Sequence, residues 1–118
     1  MPPKVTKAEF AEFKAEVERL LERLRLDEWS VAVTLGGCDD CANITPNLNG
    51  MVAEIRMNEH RLEDKDVFSP KDYARHEVAH LVTAKLWIMA GDRSVTAREI
   101  DTEFEALANR LGRLFGEI

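Results

Sequence analysis

Apolar residues recur at steps of three and four along the first part of the chain, the spacing that gives a helix one buried stripe. The segment Thr6-Lys7-Ala8-Glu9 has the composition of a capping box, in which the threonine and glutamate side chains satisfy backbone N–H groups at a helix start. We therefore expect a helix from this box to about Leu26. Its buried stripe should consist of Phe10, Phe13, Val17, Leu20, Leu21 and Leu24.

Two later segments alternate between apolar and polar residues, which is typical of half-buried strands. They are Trp29 to Leu35 and Met51 to Asn58. The residues between them include two cysteines, a proline and three asparagines, a composition that favours a loop or hairpin. This loop has room for a short third strand around Ala42 to Thr45.

A second helix should begin at Ser69-Pro70, because serine is a good N-cap and proline suits the first helical position. We expect it to run to about Ala90 and to be buried nearly all round after Leu81, since Lys85 is the only charged residue there. A last helix should begin at Ser94 or Thr96 and reach about Gly116. Together these elements predict a single α+β domain over residues 1–118 with a small, mainly antiparallel sheet. The predicted core stripe of the last helix is Ile100, Phe104, Leu107, Leu111 and Leu114.

Composition narrows the possible partners. The formal net charge of -6 argues against nucleic acid as the main partner, because binding to phosphates needs a basic face. We expect no membrane association either, since no apolar run approaches the roughly 18 residues of a membrane span and no secretion signal is recognisable. Two cysteines are too few for a disulfide scaffold, which favours a cytoplasmic location.

The segment His76-Glu77-Val78-Ala79-His80 carries the strongest chemical signal in the chain. Residues four apart on a helix share one face, so both imidazoles can reach one metal ion. Two imidazoles with a glutamate beside the first are typical of a zinc hydrolase, in which zinc lowers the pKa of water and the carboxylate accepts its proton. The motif therefore predicts a bound Zn²⁺ with Glu77 as general base and amide hydrolysis as the reaction.

A catalytic zinc site needs a third protein ligand. The residues that follow His80 offer no further histidine, so the ligand should be a carboxylate of the last helix. Helical geometry favours Glu103, which lies roughly 80° from the centre of the apolar stripe, against roughly 120° for Glu105, at about 100° per residue. The full set of candidates is Glu99, Asp101, Glu103 and Glu105.

Two segments resemble known metallopeptidases. Glu105-Ala106-Leu107-Ala108-Asn109 is similar to the E-x-x-A-N that follows H-E-x-x-H in the ImmA/IrrE-type metallopeptidases. The stretch from Glu105 to Leu111 resembles the closing E-x-x-x-[ND]-R-L helix of small phage and prophage proteins built as minimal gluzincins. The resemblance implies a zincin-like fold, a peptide or protein substrate and Glu105 as the third zinc ligand. It also implies that the strand from Met51 to Asn58 lies along the cleft and pairs with the substrate.

Several alternatives remain open at this stage. The main one is a non-catalytic module for protein binding or regulation, in which zinc only holds two helices together. Cys38-Asp39-Asp40-Cys41 is most simply a turn with free thiols or a local disulfide, although Gly37-Cys38 resembles the ligand cysteine motif of peptide deformylases. His60 and Tyr73 are the only candidates of the usual type for stabilising an oxyanion.

Overall fold

The computed structural model describes residues 3–64, 66–92 and 94–115. Its elements follow the order α1 (Lys7–Arg23), β1 (Ser30–Gly36), β2 (Ala42–Asn47), β3 (Val52–Asn58), α2 (Pro70–Ala90) and α3 (Ala97–Phe115). The expected α+β class is confirmed. The short third strand expected around Ala42 to Thr45 is also present, as β2. No helix within the described ranges is long and apolar enough to cross a membrane.

Local capping chemistry sets the helix starts. The N–H of Glu9 donates to Oγ1 of Thr6 at 3.1 Å, and the N–H of Thr6 donates to Oε1 of Glu9 at 2.8 Å, which confirms the predicted capping box. Ser69 caps α2 through Asp72 N–H, and Thr96 caps α3 through Glu99 N–H. Each side chain satisfies an N–H group that has no partner inside its helix.

The sheet is mixed, with the strand order β1-β3-β2. Strand β3 lies in the centre, parallel to β1 and antiparallel to β2. The expectation of a mainly antiparallel sheet is therefore wrong. The reason is that β2 and β3 form the hairpin, which leaves the other side of β3 to pair with β1 in the same direction.

One face of the sheet packs against α1 and α2. Strand β3 contributes the fully buried Ile55 and Met57, α1 contributes Phe13, and α2 contributes Val78 and Leu81. Fully burying a side chain of this size stabilises the fold by about 1.5–3 kcal/mol. This shared core fixes α2 against the sheet, and α2 carries the histidine motif.

The second half of α2 and the apolar stripe of α3 are less buried than their sequences predict. Trp87 of α2 is 78% exposed, so the expectation that this part of the helix is buried nearly all round is wrong. On α3, Phe104 is 53% exposed and Leu111 is 37% exposed, although Ile100 and Leu107 are partly buried. The reason is that α3 contacts α2 along a face that carries Glu103, which pairs with Lys85 of α2, while Arg110 pairs with Glu28 in the segment between α1 and β1.

Candidate active site

Helix α2 places the three motif residues at one cleft. Ala74, Val78 and Leu81 face the core, which holds the rotation of the helix about its axis. His76 and His80 are exposed and lie on the neighbouring face, as their four-residue spacing requires. The cleft between α2 and β2 has a volume of about 850 Å³, and His76, Glu77 and His80 all line it.

The two histidines are arranged as a pair. Their Nε2 atoms lie 3.1 Å apart, and the ring planes meet at 84°. Two imidazole nitrogens that bind one tetrahedral zinc ion at about 2.0–2.1 Å lie roughly 3.3 Å from each other. The observed separation is close to that value and also to that of a direct N–H···N hydrogen bond between the rings, so the two side chains are near enough to share a metal ion in place of that contact.

Glu77 has an unusual environment for a glutamate. Only 6% of the residue is exposed, yet its carboxylate forms no hydrogen bond or ion pair with any residue of the described ranges. Burial raises the pKa of the Glu77 carboxyl, and the neighbouring His76 and His80 partly oppose this effect. Glu77 lines the cleft, so its carboxylate faces the cleft rather than the closed core, and a partly desolvated carboxylate in such a position is typical of a functional site.

The opposite wall of the cleft is strand β2. Ala42, Ile44 and Pro46 line the cleft, and β2 is an edge strand of the sheet. The expectation that Met51 to Asn58 offers a free edge there is wrong, because β3 is paired on both sides. The strand with a free edge at the cleft is β2.

Tyr73 and His60, the two candidates for oxyanion stabilisation, lie in different places. Tyr73 lines the cleft one turn before Glu77, and its hydroxyl is buried without a hydrogen-bond partner in the described part of the chain. Burial raises the pKa of Tyr73, and the Glu63 carboxylate and Cys41 thiol raise it further, since both lie close enough to interact with the hydroxyl although neither is in ordinary hydrogen-bond geometry. His60 forms an isolated bridge with Lys4 and does not line the cleft. The geometry therefore favours Tyr73.

Neither candidate carboxylate of α3 is brought to the histidines. Glu105 is exposed and does not line the cleft, and Glu103 forms an ion pair of 2.8 Å with Lys85 of α2. Within the ranges that the structure describes, no group of three histidine, cysteine, aspartate or glutamate side chains is assembled in a way that could hold a metal ion. The histidine pair and Glu77 fit a zinc site, whereas the third ligand position is not formed in this arrangement.

The two cysteines form a turn before β2 with free thiols. Asn58 holds this turn by donating from Nδ2 to the carbonyl oxygens of Cys38 at 2.8 Å and Asp40 at 3.0 Å. Burial raises the pKa of both thiols, and the aspartates of the turn add to the effect, so neither is an activated nucleophile. Only Cys41 lines the cleft, which gives no support to Cys38 as a ligand of the deformylase kind.

Comparisons with protein-family models, with curated proteins and with solved structures find no match to this chain. The chemistry of the site therefore rests on the geometry of its own residues. Sequence reasoning missed Asp40 and Glu63, which line the cleft from the segments before β2 and α2. No motif marks them, and only the position of β2 beside α2 brings them to the histidines.

Proposed function

We propose that this protein is a zinc-dependent metallopeptidase with a zincin-like fold, in which His76 and His80 hold the metal and Glu77 is the general base. The observation that carries the proposal is the unpartnered, buried Glu77 beside two imidazoles whose Nε2 atoms are 3.1 Å apart. A zinc site with a purely structural role has no use for such a carboxylate. This supports an enzyme over the alternative of a non-catalytic regulatory module.

Glu77 and Tyr73 have different roles in the proposed hydrolysis. Zinc, when bound, lowers the pKa of water toward about 7 and polarises a carbonyl group. Glu77 accepts a proton from water and returns it to the leaving amine from its position at the cleft wall beside His76. Tyr73 lies one turn before Glu77 in the same cleft, so its hydroxyl is the candidate to donate toward the carbonyl oxygen of a substrate in exchange for its contact with Glu63.

For the third ligand we propose Glu105, on the resemblance of its surroundings to the ImmA/IrrE-type metallopeptidases, with Glu103 as the alternative. Either choice requires α3 to rearrange on α2, because neither carboxylate lines the cleft, and Glu105 also requires α3 to rotate about its axis, since it lies about 200° around the helix from Glu103. The exposed Phe104 next to Glu105 supports such a shift, since a closer approach of α3 would bury it.

The proposed substrate is a peptide or protein, and the proposed location is the cytoplasm. The free edge of β2 supports this substrate class, because an extended chain can add to an edge strand through main-chain hydrogen bonds. Nucleic acid is a poor candidate because of the net charge of -6.

Elemental analysis of purified protein tests the metal site. We expect about one zinc ion per chain in the wild type, loss of zinc in His80→Ala and Glu105→Ala, and retention in Glu77→Gln. His60→Ala is the matched control, since His60 is the third histidine and lies outside the cleft. If Glu103→Ala lost its zinc and Glu105→Ala kept it, the third ligand would be Glu103.

Hydrolysis of a mixed library of unstructured peptides, followed by mass spectrometry, tests the activity. Zinc-loaded wild type should cleave and Glu77→Gln should not, although both hold the metal. A wild type that stays free of zinc after zinc is added would overturn the proposal. Zinc binding without cleavage of any peptide would favour the non-catalytic module.

A further inference from the structure

The two ends of the cleft differ in chemistry. Asp40 and Glu63 line one end, where the Cys41 thiol lies 3.5 Å from Oε1 of Glu63 and both groups neighbour Tyr73. Tyr73 belongs to the first turn of α2, whereas the cleft-lining Ala84 is 11 residues further along, about 16 Å at the rise of a helix. The cleft therefore extends along α2, past the histidines in its middle.

The far end is apolar. Its lining consists of Ala84 and Trp87 from α2, with Ile44 and Pro46 from β2. Cys41, the residue before β2, lies beside Tyr73 at the start of α2. Pro46, near the other end of β2, lines the same cleft, so the strand and the helix run in the same general direction. Trp87 is 78% exposed, which leaves a large aromatic surface open to a ligand.

The edge of β2 is ready to pair along this direction. The N–H of Asn58 donates to the carbonyl of Cys41 at 2.9 Å, so Cys41 and every second residue after it point their backbone groups toward β3. The backbone N–H and C=O groups of Ala42 and Ile44, and the C=O group of Pro46, consequently point to the free edge of β2. Pro46 has no N–H, so pairing with an added strand is complete from Ala42 to Ile44 and keeps only an acceptor at Pro46.

Charge at the acidic end is not neutralised by the protein. Asp40 and Glu63 are exposed, and neither forms an ion pair with a residue of the described ranges. In the middle of the cleft, the buried carboxylate of Glu77 is also without a partner. A ligand with a positive charge near Asp40 and Glu63 would complement this end.

We propose that the cleft selects extended peptides that carry a basic side chain for the end at Asp40 and Glu63 and an aromatic or large aliphatic side chain for the end at Trp87. The two side chains lie about four to six residues apart, because Ala42 to Pro46 spans roughly 13 Å of strand, Tyr73 to Trp87 spans roughly 21 Å of helix, and every second side chain of a strand shares a face. The inference rests on the proposed function, since it takes the ligand of the cleft to be a peptide.

Isothermal titration calorimetry on Glu77→Gln tests this selectivity, once with zinc and once with EDTA. The probe is a nine-residue alanine peptide with lysine and phenylalanine either four or six positions apart, made in both chain orders, and the peptide that binds most tightly is the parent. We expect replacement of lysine by glutamate to weaken binding at least about tenfold, and replacement of phenylalanine by serine about fivefold or more. Equal affinities for the parent and both altered peptides would overturn the proposal.

Variants of the protein assign each preference to its end of the cleft. Trp87→Ala should abolish the preference for phenylalanine over serine and keep that for lysine over glutamate, and Glu63→Gln should do the reverse. Leu35→Ala and Asp39→Asn are matched controls, because both residues are exposed and neither lines the cleft. The proposal would also be overturned if Trp87→Ala and Glu63→Gln both kept the wild-type preferences for lysine over glutamate and for phenylalanine over serine.

Failure of this inference and failure of the proposed function give different results. Selective binding in EDTA with no cleavage by the zinc-loaded wild type would overturn the peptidase and leave the recognition intact. If the zinc-loaded wild type cleaved the parent and both altered peptides at equal rates, the proposed selectivity would be overturned and the proposed peptidase activity would stand.

Discussion

Glu16 of α1 accepts a hydrogen bond of 2.8 Å from Nε of Arg75, the residue that precedes His76 on α2. The other carboxylate oxygen of Glu16 accepts a hydrogen bond of 2.8 Å from Nε of Arg19 on the same helix. Only 5% of Glu16 is exposed. A buried carboxylate thus connects the two helices beside the candidate metal ligands. The Arg19 and Arg75 guanidinium groups hold the pKa of Glu16 down to about 2.

The first prediction follows from this contact. Glu16→Gln should lower the free energy of unfolding at pH 7 by about 1–3 kcal/mol, because hydrogen bonds from charged groups are lost and both arginines are half exposed. The pKa of Glu16 is lower in the folded than in the unfolded chain, so its contribution is complete at pH values above about 4.5 and declines as the pH falls toward about 2. Urea unfolding at pH 7 and pH 3 should therefore show the difference between variant and wild type shrinking by roughly half.

Glu12→Gln is the control for this prediction, since Glu12 is exposed on α1. It should change the unfolding free energy by less than about 0.5 kcal/mol at either pH. A wild type and a Glu16→Gln variant that differ equally at pH 7 and pH 3 would contradict the assigned pKa direction.

The second prediction concerns Asn58, which is 3% exposed and holds the turn before β2. Asn58→Ala should destabilise the protein by about 2–4 kcal/mol, because two carbonyl oxygens and the N–H of His60 lose their partner in a poorly exposed site. Thermal unfolding measures the loss. Asn49→Ala, at an exposed turn position, should have little effect, and an equal loss in both variants would argue against this role of Asn58.

The third prediction uses the unpartnered hydroxyl of Tyr73. Tyr73→Phe should change the free energy of unfolding by less than about 1 kcal/mol, because the hydroxyl forms no hydrogen bond of ordinary geometry and loses only its weaker contacts with Glu63 and Cys41. If that hydroxyl donates to the substrate carbonyl, kcat/KM should fall roughly 10- to 100-fold while zinc content stays the same. Unfolding curves, metal analysis and initial rates on one preparation test this, and unchanged kcat/KM would exclude the role.

The fourth prediction concerns the ion pair between Lys85 and Glu103, which ties α3 to α2 at 2.8 Å. Lys85→Met should tighten zinc binding about two- to fivefold, because release of a pair worth up to about 1 kcal/mol makes it easier for α3 to shift toward the histidines. Competition with a coloured zinc chelator measures the affinity. Lys71→Met at the exposed start of α2 should match the wild type, and weaker binding in Lys85→Met would mean that the α3 shift does not occur.

Features with a local cause could be predicted from the sequence. The caps at Thr6 and Ser69, and the placement of His76 and His80 on one helix face, depend on residues within a few positions of one another. Strand order could not be predicted, since the pairing of β3 with β1 joins segments 22 residues apart whose alternation fits either direction.

The same distinction applies to the candidate site. The motif residues were found by spacing, whereas Asp40 and Glu63 reach the cleft only through the tertiary position of the segments that carry them. The packing of α3 could not be predicted from its apolar stripe alone, because that helix contacts α2 through a face that includes Glu103 and leaves Phe104 and Leu111 exposed.

The unequal burial of the two tryptophans has a spectroscopic consequence. Trp29 is 7% exposed inside the core, and Trp87 is 78% exposed at the mouth of the cleft. Their emission should separate into a short-wavelength component that reports unfolding and a long-wavelength component that an aqueous quencher reaches first. A ligand that covers Trp87 would protect only the second component, so the unlabelled protein carries its own optical reporter of what enters the cleft.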